Sequence, residues 1–229
     1  MHFSLSDLAA DITQNCAESG ASLVELAVWE TDEPGDLENP AIREFRFFAG
    51  DNGKGMTGAE LDRNIDPFVT DGVKHPGRRV GLGLPFLIQT AVDSGGGWKI
   101  SSAAKEGEKV QRSGGVVKQA LPGNASVAEG KIVDASFTGG NANGTSIEAW
   151  FDLANVDTPP VGDIPGLFRS VLMFSGPQEI ILRRSRKGGK ADLDYEVKKT
   201  ELVEALGDLE DVSSLVLLGK YLHSLEGEN

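Results

Sequence analysis

Three groups of residues have types and spacings that could do chemistry. Asp11, Asn15 and Glu18 fall at i, i+4 and i+7, which on a helix lines three oxygen-bearing side chains along one stripe beside the apolar face. Mg²⁺ takes a few oxygen ligands from a protein and keeps its other positions for water and phosphate oxygens, so the Asn15 amide oxygen is a suitable metal ligand. Asp11, one turn earlier, is placed to orient or deprotonate a nucleophile. An ordinary wet helix face carries the same residues, so the stripe has weight only in company.

The second group is Asp51-x-Gly53-x-Gly55, followed by Met56. Glycines let a backbone approach a flat ligand, and a carboxylate such as that of Asp51 accepts a hydrogen bond from an exocyclic amine of the kind adenine carries. On its own, Asp-Asn-Gly is a frequent turn. The third group is Gly81-Leu82-Gly83-Leu84, just ahead of a strongly apolar helix, where backbone N–H groups and the positive helix end suit phosphate oxygens. Lys74, Arg78 and Arg79 lie upstream in a segment bounded by glycine and proline, with the character of a basic lid that closes over phosphates. Charged surface loops share that composition. The chain has no Gly-x-x-x-x-Gly-Lys-Ser/Thr stretch, which excludes a P-loop.

Secondary structure has to bring these groups together. Ser4 and Asp7 start a helix whose apolar positions are Leu5, Leu8, Ile12 and Cys16, and Gly20 stops it. Alternating Val24, Leu26 and Val28 predict a strand over 22–30, and 44–49 predicts a second that ends at the glycine-rich loop from Gly50. Thr57 with Glu60 caps a short helix, and Leu84, Leu87, Ile88, Ala91 and Val92 mark another. Strands are expected over 98–102, roughly 109–120, 131–137 and 145–153, the last two joined as a hairpin through 139–144. Beyond the proline-rich stretch Asn155 to Pro165 the pattern gives a helix near 165–174, two strands across an Arg183 to Lys190 turn, and helices near 199–207 and 212–225.

The chain has 229 residues, enough for one full core with a modest appendage, and a formal net charge of -13. That charge disfavours nucleic acid and anionic membranes as general partners, so a polyanionic ligand needs a local basic patch. The single cysteine, Cys16, excludes an internal disulfide framework and fits a reducing compartment. No apolar run reaches the roughly 20 residues of a membrane span, and the start lacks the order of a signal peptide. The expectation is a soluble, cytoplasmic protein.

Taken in order, the helix with Asn15, then Asp51-Asn52-Gly53-Lys54-Gly55-Met56, then Gly81-Leu82-Gly83-Leu84, then Gly144-Thr145 entering a strand resembles the GHKL superfamily. Its members include gyrase, heat-shock chaperones of the ninety-kilodalton class, histidine kinases and MutL. The resemblance covers residues 4 to 153. Residues 15 to 21 are most similar to the MutL form of the first box, and residues 81 to 97 to a histidine-kinase second glycine box. It implies an α+β fold, the two-layer Bergerat ATP-binding sandwich with helices on one face of a mixed, mostly antiparallel sheet.

As cofactors it implies ATP and Mg²⁺. Asn15 would coordinate Mg²⁺, Asp51 read the adenine amine, Gly55 and Met56 line the base, Gly81 and Gly83 face phosphates, and Thr145 support the adenine contact, with Gly53, Leu82 and Leu84 also in the nucleotide-binding set. Lys74, Arg78 and Arg79 would belong to the lid. Position 11 departs from the family, whose active members carry Glu there; Asp11 is shorter by one methylene.

Residues 1–154 then form the ATP-binding domain and 155–229 a small C-terminal α/β extension, available to a protein partner or to a second copy. Neither His2, His75 nor His223 lies in a phosphoacceptor helix of the histidine-kinase type. Cys16 reads as core rather than nucleophile, and Arg183 to Lys190 as a charged hairpin tip. Three functions stay open: an ATPase or nucleotide switch, a protein kinase acting on a separate partner, and a non-catalytic nucleotide-binding adaptor.

Overall fold

The computed structural model of the protein describes residues 4–36, 41–67, 83–104, 107, 109–116, 143–189 and 191–227. Helix α1 (Leu5–Glu18) begins where the Ser4 hydroxyl accepts the Asp7 N–H at 3.2 Å, and its face of Leu5, Leu8, Ile12 and Cys16 is buried. Gly20, at φ +82°, turns the chain out of the helix, a conformation that costs a residue with a Cβ. Strand β1 (Leu23–Glu33) follows, with Val24, Leu26 and Val28 fully buried.

Strand β2 (Ile42–Asp51) pairs antiparallel with β1, from Glu33↔Ile42 to Val24↔Asp51. It therefore runs through Gly50 to Asp51 instead of ending ahead of them. Neighbours on both sides hold it in register, since Asp51 also pairs with Thr145 of β5 (Gly144–Asp152). A complete capping box of Thr57 and Glu60 starts α2 (Gly58–Ile65). Then come α3 (Gly83–Asp93), β3 (Gly97–Ala103) and β4 (Lys109–Gly115). After β5 follow α4 (Ile164–Leu172), β6 (Glu179–Gly188), β7 (Leu193–Lys198), α5 (Lys199–Leu206) and α6 (Val212–Leu225). The strand expected at 131–137 and the turn at 139–142 lie outside the described residues.

Among the described residues the strands form one seven-stranded sheet in the order β4-β3-β5-β2-β1-β6-β7. All neighbours are antiparallel except β1 and β6, which run parallel from Leu23↔Glu179 to Asp32↔Gly188. The fold is thus α+β, with helices packed on a mixed, mostly antiparallel sheet. Leu5, Leu8 and Ile12 of α1, Leu87 of α3, Phe168 of α4 and Leu218 of α6 share one core with Val24, Phe47, Phe151 and Leu182 of the sheet.

The segment after 155 continues this sheet and core. The Leu5 and Ser6 N–H groups donate to Pro160 and Val161 carbonyls, both at 2.9 Å, so the proline-rich stretch is docked on the start of α1. The charged tip expected at Arg183 to Lys190 is corrected: those residues up to Gly188 belong to β6, and Arg184 and Arg186 are buried. Arg184 donates to Glu226 at 3.1 Å and Glu30 at 2.7 Å, and Arg186 to Glu226 at 3.0 Å. Glu226, just past α6, also accepts the Tyr195 hydroxyl at 2.7 Å. Burial of two guanidiniums is tolerable because these carboxylates neutralise them in place. Arg183, on the opposite face of β6, pairs with Glu196 at 2.8 Å and with buried Glu25 at 3.4 Å.

Candidate functional site

α1 carries residues of two clusters that sit at neighbouring places along one helix. Toward its middle, Asp11 and Asn15 face the start of α3. A Cβ built on Gly83 would lie 3.0 Å from Asp11 Oδ2 and 3.3 Å from Asn15 Nδ2, so any side chain there would crowd both polar groups. Asp11 is half-buried and Asn15 exposed. Because residues four apart share a helix face, the next turn delivers Ser19 toward β2.

There the Ser19 hydroxyl donates to Asp51 Oδ1 at 2.9 Å and the Gly53 N–H donates to the same oxygen at 2.8 Å. Asp51 is only 3% exposed. Burial pushes its carboxyl above the ordinary range, opposed by hydrogen bonds from Gly53, Ser19, Cys16 and the Thr145 backbone. A buried carboxylate fixed on one oxygen by two donors is an acceptor with a set orientation. The Cys16 thiol is pushed well up by burial and by the Asp51 charge beside it, which makes it a core group rather than a nucleophile.

The segment after Asp51 is shaped by close contacts. Gly53 leaves no room for a Cβ beside the Ser19 hydroxyl, and Gly55, at φ +65°, passes directly against the Ala103 carbonyl. Asn52 ties the turn down: its Oδ1 accepts the Ser22 and Leu23 N–H groups, both at 2.9 Å. The Met56 N–H donates to Ser102 Oγ at 2.8 Å. That hydroxyl also bonds Thr145 Oγ1 at 2.8 Å and lies 3.1 Å from the Gly144 carbonyl. Met56 is half-buried, with its Sδ accepting from Asn64 Nδ2 at 3.2 Å.

Asp51, Gly53, Gly55, Met56 and Thr145 are therefore brought together, linked through Ser102, at the end of β2 where it lies beside β5. Asp11 and Asn15 are brought to Gly83, and Leu84 follows as a half-buried residue of α3. Lys74, Arg78, Arg79, Gly81 and Leu82 lie outside the described residues. Sequence reasoning missed Ser19 and Ser102 as participants. Ser19 had a signal, since it falls four residues after Asn15; Ser102, one serine among several near the end of a strand, had none.

Among the described residues no cluster of three His, Cys, Asp or Glu side chains could cage a metal. Asn15 is a residue that could offer an amide oxygen to a divalent cation. Also among the described residues, no helix is long and apolar enough to cross a membrane.

No family model matches the chain, and no curated protein does. Among solved structures it is similar to the Aquifex aeolicus MutL ATPase domain complexed with ADP, with 14% identity over 85% of this chain and 64% of that one, at a TM-score of 0.41. It is also similar to the N-terminal domain of a DNA repair protein, with 10% identity over 85% of this chain and 53% of that one, at a TM-score of 0.43. The chain thus spans 64% and 53% of the lengths of these two.

Proposed function

We propose that this chain is a GHKL-type domain that binds ATP with Mg²⁺ and uses the nucleotide as a switch or as a phosphoryl donor. The observation that carries the reading is the buried Asp51 carboxylate, oriented by Ser19 and Gly53 beside the glycine-lined segment through Gly55 and Met56. A desolvated acceptor of fixed direction fits the adenine amine, and the close backbone at Gly53 and Gly55 fits a flat ring. Asn15 holds Mg²⁺ in this reading, the glycines around Gly83 accommodate phosphates, and Lys74, Arg78 and Arg79 close over them. Bound Mg²⁺ would neutralise phosphate charge.

The direct test is calorimetric titration of ATP·Mg²⁺ into the wild type and into Asp51→Ala. Loss of most affinity in the variant supports the assignment, and undiminished binding sinks it. In the kinase version of this reading the phosphoryl acceptor would be a separate protein, with Asp11 as base. A non-catalytic adaptor is favoured by one feature, the short carboxylate at position 11. Incubation with ATP·Mg²⁺ followed by mass spectrometry and phosphate release separates the readings. ADP with free phosphate means an ATPase, ADP with a phosphorylated partner means a kinase, and unchanged ATP means an adaptor. Dependence on Asp11, tested with Asp11→Asn, assigns the base. The cell compartment proposed is the cytoplasm.

A further inference from the structure

Two donors from different elements converge on one oxygen of Asp51. The Ser19 hydroxyl reaches Oδ1 at 2.9 Å and the Gly53 N–H reaches it at 2.8 Å. A carboxylate oxygen has about two lone-pair sites, so Oδ1 is filled from within the protein and an arriving donor has to be met at Oδ2. The Cys16 thiol, a weak donor, and the Thr145 backbone also lie against this carboxyl. Gly53 and Thr145 offer backbone groups, which side-chain identity does not change. Of these four, Ser19 alone offers a hydroxyl.

That hydroxyl is held to its place. Ser19 caps α1, its N–H donating to the Cys16 carbonyl at 3.2 Å and its own carbonyl accepting the Lys54 N–H at 3.3 Å. The backbone at position 19 is thus tied to the helix on one side and to the turn after β2 on the other. Gly53 leaves open the space that Ser19 Oγ occupies, since a Cβ on that glycine would overlap it. Positions 19 and 53 are fitted to each other around a single oxygen.

A charge preference follows. Burial pushes the Asp51 carboxyl up, and the bond from Ser19 is among those that oppose the rise. A hydroxyl donor favours the ionised form, which can only accept. An acceptor-only group at Oδ2 suits the 6-amino group of a purine and repels a 6-oxo group, whose oxygen also only accepts. Without the hydroxyl, Oδ1 has a free site, the carboxyl turns more easily about its own bond, and it takes up a proton more readily. A protonated carboxyl donates, and so tolerates the oxo base.

Resting on the nucleotide reading above, we propose that Ser19 is a specificity-determining residue, whose hydroxyl holds Asp51 Oδ1 so that the site selects a 6-amino over a 6-oxo purine nucleotide. Ser19 acts through Asp51 and is a positioning residue. The base itself is met by the carboxylate.

Calorimetric titration of ATP·Mg²⁺, and separately of inosine triphosphate with Mg²⁺, reads the ratio of the two affinities. The chains compared are the wild type, Ser19→Ala, Ser19→Thr, Ser19→Val and Asp51→Ala. Thr and Val share a shape and differ by the hydroxyl. Ser19→Ala and Ser19→Val should each lower the preference for ATP by about tenfold, and Ser19→Thr should keep most of it. General damage to the fold weakens both nucleotides alike and leaves the ratio where it was. A wild-type ratio in Ser19→Ala and Ser19→Val overturns the proposal, as does a Thr variant no more selective than the Val one, or a wild type that takes both nucleotides equally. If Asp51→Ala loses ATP while the Ser19 variants keep the ratio, the role of Ser19 falls and the nucleotide site stands. If Asp51→Ala binds ATP undiminished, both fall together.

Discussion

The Ser19 hydroxyl donates to Asp51 Oδ1 at 2.9 Å, so the end of α1 and the end of β2 are joined by one hydrogen bond inside the candidate site. Whatever moves the last turn of α1 therefore moves the carboxylate. Four expectations follow from the geometry around this bond and from the anchoring of the sheet's far side.

The first concerns pH. Burial raises the Asp51 carboxyl above its ordinary value near 3.8, so the folded chain holds this proton more tightly than the unfolded one. A raised carboxyl stabilises fully below its unfolded value, and that contribution is lost as pH climbs through the folded value. Asp51→Asn lacks this loss. In urea unfolding, its stability relative to wild type should improve as pH rises from about 4 toward neutrality, while its ATP affinity falls by tenfold or more. A stability difference that is flat across that range would count against a buried, ionising Asp51.

Gly83→Ala should separate stability from function. Gly83 is the first residue of α3, so the exchange gains little of the preference for Ala that a helix interior shows. Here the new methyl group meets Asp11 Oδ2 at 3.0 Å and Asn15 Nδ2 at 3.3 Å, so those side chains must give way. The expected result is an unchanged or slightly higher melting temperature together with weaker ATP·Mg²⁺ binding. Wild-type affinity in this variant would show that Asp11 and Asn15 need not stay where α3 holds them.

Ser102→Ala removes a hydroxyl that serves Met56, Thr145 and Gly144 at once. Leaving buried partners unmatched costs about 1–3 kcal/mol. Amide exchange should quicken at Met56, whose N–H loses its acceptor, and nucleotide affinity should fall with it. Protection at Met56 equal to wild type would show that the hydroxyl does not anchor this segment.

Glu226→Ala strips the shared carboxylate from Arg184 and Arg186, which are 1 and 7% exposed. Breaking a buried pair by removing one partner costs about 3–5 kcal/mol, much of it from the uncompensated charge. Replacing all three residues by apolar ones, as Arg184→Met, Arg186→Leu and Glu226→Met, should recover a large part of the loss in chemical denaturation. If the triple variant is less stable than the single one, charge burial is not the dominant cost.

Much of this fold is written locally. The apolar periods at Leu5, Leu8, Ile12 and Cys16 and at Val24, Leu26 and Val28 mark α1 and β1, because each buries one face against the same core. The close backbone approach at Gly53 and Gly55 was equally legible, since a Cβ there would meet Ser19 and Ala103. Arg184 and Arg186 were not. An Arg-x-Arg alternation on a strand looks like a wet surface until Glu226, some forty residues on, is known to sit beneath it. Ser102 escaped for the same reason, as its partners come from β5 and from the turn after β2, and no local spacing records that meeting.

The parallel pairing of β1 with β6 sets an order of events during synthesis. Leu23 leaves the ribosome long before Glu179, its ladder partner. At roughly 5–20 residues per second the edge of β1 waits many seconds for its mate. Until then Val24, Leu26 and Val28 border an open strand edge, the kind that captures other chains. Such a nascent chain has every stretch from Asn15 to Thr145 in hand and still lacks a finished sheet, so a helper that shields that edge would matter most until Glu179 to Gly188 have been made.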